Sequence, residues 1–329
     1  MKDVGLVGVP FAGKSTLFTA LTRTGVSGGR SNQAVVQVPD ARLGVLAQME
    51  RSRKVVPSQV RFVDVPGGAT AQGLAALRET DALCVVVRAF GPGANPAAEL
   101  EDVSAELLLA DLSNVETALE NARRRTKGRA AGTAATQEVS VLERAHQALA
   151  SETILRDAGF DEEERKLLRG LAPLTLKPWV VVANLEEGAS LPEGLPEGTV
   201  GVSAEIEAET AAMDPDEARL LLAEFGIDEP GLDRVIAASY RALDLIAFLT
   251  TGEDETRAWE VRRGATAPEA AGAIHTDLQR GFIRAEVVSY DDLVAAGGWD
   301  TAKHKGLLRV EGKDYVVREG DVLHVRFAV

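Results

Sequence analysis

One short motif near the start of the chain constrains its fold more than any other feature. Residues 8–15 read Gly-Val-Pro-Phe-Ala-Gly-Lys-Ser, which fits the pattern G-x-x-x-x-G-K-[ST] of a phosphate-binding loop. The apolar run at residues 4–7 predicts a buried strand before it, and residues 15–22 carry apolar side chains at helical spacing after it. A strand, a glycine-rich loop and a helix in this order predict an α/β P-loop fold.

The residue types of this loop indicate its chemistry. Backbone N–H groups at a helix N-terminus converge on phosphate oxygens, the lysine at Lys14 reaches the β and γ oxygens, and the hydroxyl of Ser15 holds Mg²⁺. Lys14 would then stabilise charge on a transferred phosphoryl group, so we treat it as the candidate catalytic residue. The sequence assigns no general base. We therefore expect a Mg²⁺-dependent nucleotide site.

Strand-like and helix-like segments alternate through the first two thirds of the chain. Apolar, β-branched runs that predict buried parallel strands lie at residues 60–64, 83–87, 179–183 and 199–202. Two stretches with apolar residues at helical spacing, within 108–122 and 142–149, interrupt this order. They predict an antiparallel helical hairpin inserted into the α/β sheet domain.

The last third of the chain has a different texture. Residues 215–225 and 231–248 predict helices, and short alternating strands separated by turn signals follow from residue 256. We expect strands at 258–261, 282–288, 313–317 and 322–329. The predicted domains are therefore a nucleotide-binding domain (1–111 and 171–246), the inserted hairpin (112–170) and a small C-terminal α+β domain (247–329).

A second motif supplies a candidate metal ligand. Asp64 ends the predicted strand at 60–64 and begins the pattern D-x-x-G, which Gly67 completes. In such a pattern the carboxylate reaches the Mg²⁺ shell and the glycine N–H senses the γ-phosphate. The alternative is that Asp64 is only a turn residue at a strand end. Its position one strand after the loop favours the metal-side role.

The end of a later strand indicates which base the site prefers. Asn184 to Glu187 read Asn-Leu-Glu-Glu, where a guanine-specific site would have N-K-x-D. The aspartate of that pattern pairs with guanine, so the longer side chain of Glu187 and the missing lysine argue against strong guanine selection. Ser203 and Ala204 resemble the short element that closes over the base in such proteins.

Composition excludes several classes of protein. The single cysteine, Cys84, cannot form an internal disulfide and lies in an apolar run where a buried thiol is expected. The chain starts without a signal-peptide pattern and has no run of 18 apolar residues, which predicts a cytoplasmic protein without a membrane segment. The net charge of −14 argues against a protein that coats polyanions over its whole surface.

One basic run is the candidate contact for nucleic acid. It contains Arg123, Arg124, Arg125, Lys127 and Arg129, without an acidic residue among them. The run lies in the predicted hairpin, residues 112–170, which holds ten acidic and ten basic side chains. A possible RNA contact through these residues competes with a second reading, in which they are a solvated helix end whose cations favour the helix C-terminus.

The chain resembles a known family over essentially its whole length. The P-loop, the N-x-x-E pattern and the helical insertion are similar to those of the YchF family of Obg-like ATPases. Strings at residues 264–268, 274–277, 281–285 and 311–315 closely match the TGS domain of that family, a β-grasp fold. The resemblance implies a translation-associated NTPase that accepts ATP, with GTP possible, and contacts the ribosome or its large subunit.

The resemblance also implies the site residues. The base falls to Asn184, Glu187, Ser203 and Ala204, and Mg²⁺ to Ser15 and Asp64. The residues expected to contact the phosphates are Val9, Pro10, Phe11, Ala12, Gly13, Lys14, Ser15 and Thr16, with Gly67 as the γ-phosphate sensor.

Three departures from the family pattern bear on catalysis. Phe11 stands where the family has an asparagine, and it offers no oxygen to a cation beside the phosphates. No threonine lies between Thr24 and Asp64, and Gln72 is a poor candidate for positioning water. These features favour slow unaided hydrolysis. They leave two alternatives open: a nucleotide-gated binding protein with negligible hydrolysis, and a GTP-specific switch.

Overall fold

The structure of the chain is a computed structural model. It describes residues 1–24, 32–65, 68, 70–126, 133–211, 213–225, 227 and 229–328. The strands within these ranges are β1 (Lys2–Val7), β2 (Gln33–Gln37), β3 (Val55–Val56), β4 (Gln59–Asp64), β5 (Ala82–Ala89), β6 (Trp179–Leu185), β7 (Val200–Val202), β8 (Leu245–Thr250), β9 (Thr256–Arg262), β10 (Phe282–Ser289), β11 (Arg309–Glu311) and β12 (Asp321–Phe327).

The described helices are α1 (Lys14–Thr24), α2 (Ala41–Glu50), α3 (Ala71–Arg78), α4 (Pro96–Thr126), α5 (Thr133–Ala150), α6 (Glu162–Arg169), α7 (Ala204–Thr210), α8 (Pro215–Glu224), α9 (Gly231–Ala242), α10 (Ala267–Ile274), α11 (Thr276–Arg280), α12 (Tyr290–Ala296) and α13 (Trp299–His304). Short 3₁₀ turns lie at Leu155–Asp157 and Leu174–Leu176. Among the described residues, no helix combines the length and apolar character needed to cross a bilayer.

The chain forms two compact units. The first comprises Met1–Val36 and Arg61–Ser239, and the second comprises Gln37–Val60 and Tyr240–Val329. The predicted boundaries at 111/112 and 170/171 both fall inside the first unit. The three predicted domains remain a prediction.

The first unit is built on a six-stranded sheet with the order β2-β4-β1-β5-β6-β7. Strand β5 pairs in parallel with both β1 and β6, and β6 pairs in parallel with β7. Its central strand is buried along Ala82–Val87, as expected for a parallel strand covered on both faces. The carboxyl ends of parallel strands lie at one edge of a sheet, so the loop after β1 and the ends of β5 and β6 share that edge. The predicted α/β P-loop fold is confirmed.

The helical hairpin belongs to the same unit. Helices α4 and α5 enclose an apolar seam that includes Val115, Leu119, Leu142 and Leu149. Pairs of opposite charge across the two helices join residue 116 to 146, 123 to 143 and 125 to 138. As the residue number on α4 increases, the number of its partner on α5 decreases, so the two helices run antiparallel. Helix α4 starts at Pro96, however, and the hairpin therefore grows from a helix that already packs on the sheet domain.

An ion pair between a buried carboxylate and a half-buried arginine lies where the hairpin joins the sheet domain. The carboxylate of Asp111 on α4 is 0% exposed and accepts a hydrogen bond from Arg78 Nη1 at 2.8 Å. It also accepts bonds from the backbone N–H groups of Leu174 and Thr175 and from the hydroxyl of Thr175. Arg78 donates in addition to the carbonyls of Ala172 and Ala110. Each charge is therefore satisfied by several partners.

The second unit is a mixed α+β structure around a six-stranded sheet. Its strand order is β11-β10-β12-β8-β9-β3, with parallel pairing of β12 with β8 and of β3 with β9. Segment 37–60 contributes β3 and helix α2, whose Leu43 and Leu46 pack in one core cluster with Leu249, Leu293 and Val322. A segment that lies between two strands of the first sheet along the chain thus takes part in the core of the second unit.

Two sequence predictions for the C-terminal third are wrong. The helix predicted over 231–248 ends at Ala242, because Asp244 has a φ of +53° and Leu245–Thr250 is strand β8. A short apolar run cannot be assigned to helix or strand by periodicity alone. The strand predicted over 313–317 is absent as such; there Val316 makes only an isolated bridge with Thr266.

Candidate nucleotide-binding site

The loop after β1 is shaped by close backbone packing. A Cβ on Gly8 would lie 2.2 Å from the carbonyl oxygen of Val86 on β5, so only glycine allows this approach. The backbone N–H of Ala12 then donates to the carbonyl of Val9 at 3.4 Å, which closes a tight turn with Pro10 in its second position. The loop leads directly into α1, which begins at Lys14.

A side chain from a distant strand braces this loop. The amide Nδ2 of Asn184, at the end of β6, donates to the carbonyl of Ala12 at 3.2 Å, and its Oδ1 accepts from the N–H of Ala204 at 3.0 Å. A Cβ on Gly13 would lie 2.0 Å from the same Nδ2, and Gly13 has a φ of +90°. The buried Asn184 thus fixes both the loop and the start of α7.

The sequence suggested Asn184 as a base contact, and the structure uses its amide to support the phosphate-binding loop. Two sequence features could have predicted this bond. One is an asparagine at the end of a predicted parallel strand, and the other is a glycine in the loop at the same edge of the sheet. Sequence spacing cannot measure the close approach between Gly13 and Asn184.

The lysine of the loop is held by carbonyl groups. Lys14 Nζ donates to the carbonyl oxygens of Gly8 and Val9 at 2.8 and 2.7 Å. Burial lowers the pKa of this ammonium, while Asp64 and two glutamates of α4 oppose that shift. The two carbonyl groups solvate the ammonium without neutralising its charge, so the charge remains available to bind an anion.

Asp64 lies at the end of β4, half-buried. Burial raises the pKa of its carboxyl group, and Lys14 acts in the opposite direction. In the first unit the structure therefore brings a desolvated ammonium and a desolvated carboxylate under each other's electrostatic influence. A nearby dication would favour the ionised form of Asp64.

The donor set fits Mg²⁺. Ser15 is exposed at the start of α1, and its hydroxyl, together with the carboxylate of Asp64, supplies the hard oxygen ligands that Mg²⁺ prefers. No cluster of three or more acidic, histidine or cysteine ligands occurs in the described part of the chain. Mg²⁺ commonly keeps several waters and binds substrate phosphates, so it needs only one or two protein ligands.

The predicted base contacts are only partly brought together. Ser203 and Ala204 begin α7 beside Asn184, and Ala204 is bonded to it. Glu187 lies in the exposed turn after β6. Val9 is half-buried, Ala12 is buried, and Pro10, Phe11, Ser15 and Thr16 are exposed.

Some predicted residues lie outside the described part of the chain. They are Gly67, the stretch from residue 28 to 31, Lys127 and Arg129. Gln72 is described and sits, exposed, in the first turn of α3.

The basic run at the end of α4 is paired with acidic side chains. Arg123 lies 2.6 Å from Glu143 and Arg125 lies 2.7 Å from Glu138, both across the hairpin. Arg124 lies 3.7 Å from Glu120 on its own helix. These exposed pairs reduce the free positive charge that the sequence suggested, because the glutamates come from positions outside the run.

Cys84 is fully buried in β5, and burial raises the pKa of its thiol to about 12. The thiol is therefore protonated at neutral pH, as expected for a packing residue.

The chain is similar in sequence and in fold to several known proteins. Residues 3–121 match a family model described as a 50S ribosome-binding GTPase, and residues 245–328 match the model of the YchF GTPase C-terminal region, described as a protein of unknown function. The Ribosome-binding ATPase YchF of Haemophilus ducreyi is 40% identical over 360 residues, which covers 99% of each protein. That of Bacillus subtilis is 39% identical over 363 residues, with the same coverage. The structure of the Schizosaccharomyces pombe YchF GTPase aligns with a TM-score of 0.90 at 29% identity, covering 99% of this chain and 97% of that one.

Proposed function

This chain belongs to the YchF family, and from that membership we propose that it is a Mg²⁺-dependent P-loop NTPase that acts in association with the ribosome. The observation that carries the proposal is the braced loop. Lys14 donates to two carbonyls and Asn184 to a third, and these bonds support a loop that is ordered for phosphate before a ligand binds. Preorganised charge of this kind lowers the cost of binding a polyphosphate.

The chain's own residues would perform three tasks. The loop's N–H groups and Lys14 would bind the phosphates and stabilise charge on the transferred group. Ser15 and Asp64 would hold Mg²⁺, which when bound neutralises developing charge on the phosphate oxygens. Asn184 would keep the loop in register with the base-binding edge.

Hydrolysis is expected to be slow without an activator. Gln72 is exposed in the first turn of α3, and a P-loop GTPase with its glutamine in place hydrolyses alone at only about 10⁻⁴ per second. The same observation favours the second candidate function, a nucleotide-gated binding protein with negligible turnover. Phosphate release measured with and without ribosomes separates the two. Turnover no higher than that of a Lys14→Ala control under both conditions would leave only the binding function.

The preferred nucleotide is proposed to be ATP. Glu187 lies in an exposed turn, and its side chain is one methylene longer than the aspartate that pairs with guanine. Competitive titration with ATP and GTP tests this choice. A preference of tenfold or more for GTP would contradict the assignment, and Glu187→Asp should shift the preference toward GTP if it is correct.

Ribosome association is proposed to include an RNA contact through the basic run Arg123, Arg124, Arg125, Lys127 and Arg129. A cytoplasmic location follows from this partner. Replacing these five residues by glutamine should weaken ribosome binding and flatten its salt dependence, because fewer counterions are released. Arg144→Gln on α5 is the matched control. An unchanged salt dependence of ribosome binding would exclude the basic run as the RNA contact.

A further inference from the structure

Phe11 has an unusual backbone conformation. It occupies the third position of the turn closed by the bond from Ala12 N–H to the carbonyl of Val9, and its φ is +67°. A turn with proline second and positive φ third is the type that places glycine or asparagine in that position. A residue with a Cβ is strained there.

The side chain of Phe11 is also in an unfavourable place. Its residue is 90% exposed, whereas an aromatic ring gains free energy by leaving water. The loop cannot relax to bury it, because Ala12 is buried and bound by Asn184 while Lys14 holds Gly8 and Val9. The free protein therefore keeps a strained residue and an exposed ring at the same position.

Strain that the surrounding structure enforces is found at ligand-binding sites, where a ligand can offset its cost. Phe11 lies three residues before Lys14, in the loop whose backbone N–H groups are proposed to bind the phosphates. A phenyl side chain offers a large apolar surface with few rotatable bonds, which suits it to cover a bound molecule. The sugar and base of a nucleotide have apolar faces for such a contact.

We propose that Phe11 is a ligand-contacting residue whose ring folds over a nucleoside triphosphate seated on the loop and slows its release. This inference rests on the proposed nucleotide binding. It differs from the general phosphate contacts of the loop, because those use backbone N–H groups that every residue type supplies. The ring is a feature of this chain's own loop sequence.

The test measures how fast a fluorescent nucleotide dissociates after a chase with unlabelled nucleotide. Phe11→Gly removes the ring and accepts the positive φ, so folding is not at risk. We expect dissociation about tenfold faster, since partial burial of a phenyl ring corresponds to about that factor. Phe11→Leu keeps an apolar side chain and should lie between Phe11→Gly and the parent protein. Dissociation of Phe11→Gly within twofold of the parent would overturn the proposal.

Two controls separate contact from strain and from failure of binding. Phe11→Gly should also raise the melting temperature of the ligand-free protein, since it relieves strain, and this effect does not require ligand contact. Phe327→Ala removes another phenyl ring, 45% exposed, from the second unit and should leave dissociation unchanged. If the parent protein binds neither ATP nor GTP, the proposed function fails. If it binds and Phe11→Gly releases at the parent rate, only this inference fails.

Discussion

Two acidic residues of the first unit show opposite uses of a desolvated charge. Asp111 is fully buried at the root of the hairpin and accepts hydrogen bonds from Arg78, Leu174 and Thr175. Asp64 is half-buried at the edge of the sheet, where burial raises the pKa of its carboxyl group and Lys14 opposes the shift. The fold surrounds the carboxylate of Asp111 with hydrogen-bond donors, whereas its main effect on the carboxylate of Asp64 is to remove water from it.

The difference distinguishes structural from ligand-binding charge. A buried ion whose hydrogen-bond partners are complete is costly to disrupt, and it has no unused acceptor positions for a ligand. An ion that burial disfavours, and that is held without a tightly bonded opposite charge among the described residues, gains more when a counter-ion binds. By this criterion the hairpin root is a structural site, and the edge with Lys14 and Asp64 is the one poised to bind a ligand.

The largest effect is expected at the structural site. Asp111→Asn leaves the half-buried Arg78 without its counter-charge, so the free energy of unfolding should fall by about 3 kcal/mol, the lower end of the range for breaking a buried pair. Thermal and denaturant unfolding measure this loss, and Asp102→Asn on the exposed face of α4 is the matched control. Nucleotide affinity of the folded fraction should stay the same. Equal stability of the two variants would remove the contrast between Asp111 and Asp64.

A smaller effect on binding, and little on stability, is expected at Lys14. Lys14→Ala removes a charge-assisted contact to phosphate worth about 1.5–3 kcal/mol, so the nucleotide dissociation constant should rise by about ten- to a hundredfold. Calorimetric titration measures it. Lys166→Ala, on the exposed face of α6, should bind as the parent does. If Lys14→Ala binds nucleotide as tightly as the parent, the hydrogen bonds from Lys14 to the two carbonyls serve only to stabilise the loop.

At Asp64, loss of binding should come with a gain in stability. Asp64→Asn removes a carboxylate whose ionised form is disfavoured by burial, so the ligand-free variant should be more stable than the parent at neutral pH. The pKa of Asp64 is raised in the folded state, so the parent loses this penalty as the pH falls through that raised value. The difference between parent and variant should therefore vanish in acid. A variant less stable than the parent at pH 7 would contradict this.

Mg²⁺ supplies the complementary measurement. In the parent, Mg²⁺ should tighten nucleotide binding, and in Asp64→Asn this gain should be reduced. Titrations with nucleotide in the presence and absence of Mg²⁺ give the ratio of the two dissociation constants for each protein. If Mg²⁺ tightens nucleotide binding equally in both proteins, Asp64 is not a ligand of the metal.

The smallest effects are expected at exposed pairs of the hairpin. Arg125 and Glu138 form the same kind of ion pair as Arg78 and Asp111, but in contact with water. Arg125→Gln should change the free energy of unfolding by about 0–1 kcal/mol, because solvent screens the pair and ordering its side chains costs entropy. A loss as large as that of Asp111→Asn would show that exposure is not what separates the two pairs.

Much of the first unit could be predicted from local sequence. The P-loop motif fixed the strand, turn and helix at β1 and α1, and apolar runs located β5 and β6. The hairpin was found from its seam, although α4 starts twelve residues before the first periodic position at residue 108. Each of these signals is contained in a short window, because a helix or buried strand expresses its pattern in neighbouring residues.

Other features escaped because they depend on distant partners. Segment 37–60 contains no pattern that indicates its place beside β9, and β8 resembles a helix until its pairing is known. The arginine run left two readings open, an RNA contact or a solvated helix end, and neither indicated its glutamate partners, which lie 13 residues from Arg125 and 20 residues from Arg123. Pairing across such distances is set by packing, which a single sequence does not express.

The sequence by itself determined the chemistry of this protein: glycines, a lysine and a serine in fixed spacing predict phosphate binding, because backbone N–H groups and short side chains act locally. The tertiary structure alone decided how that chemistry is held. It brings Asn184 to Ala12, surrounds Asp111 with donors, desolvates Asp64, and leaves Phe11 strained and exposed on the loop. Burial and long-range hydrogen bonds exist only once distant segments meet, and they determine which charges are satisfied and which are left to bind a ligand.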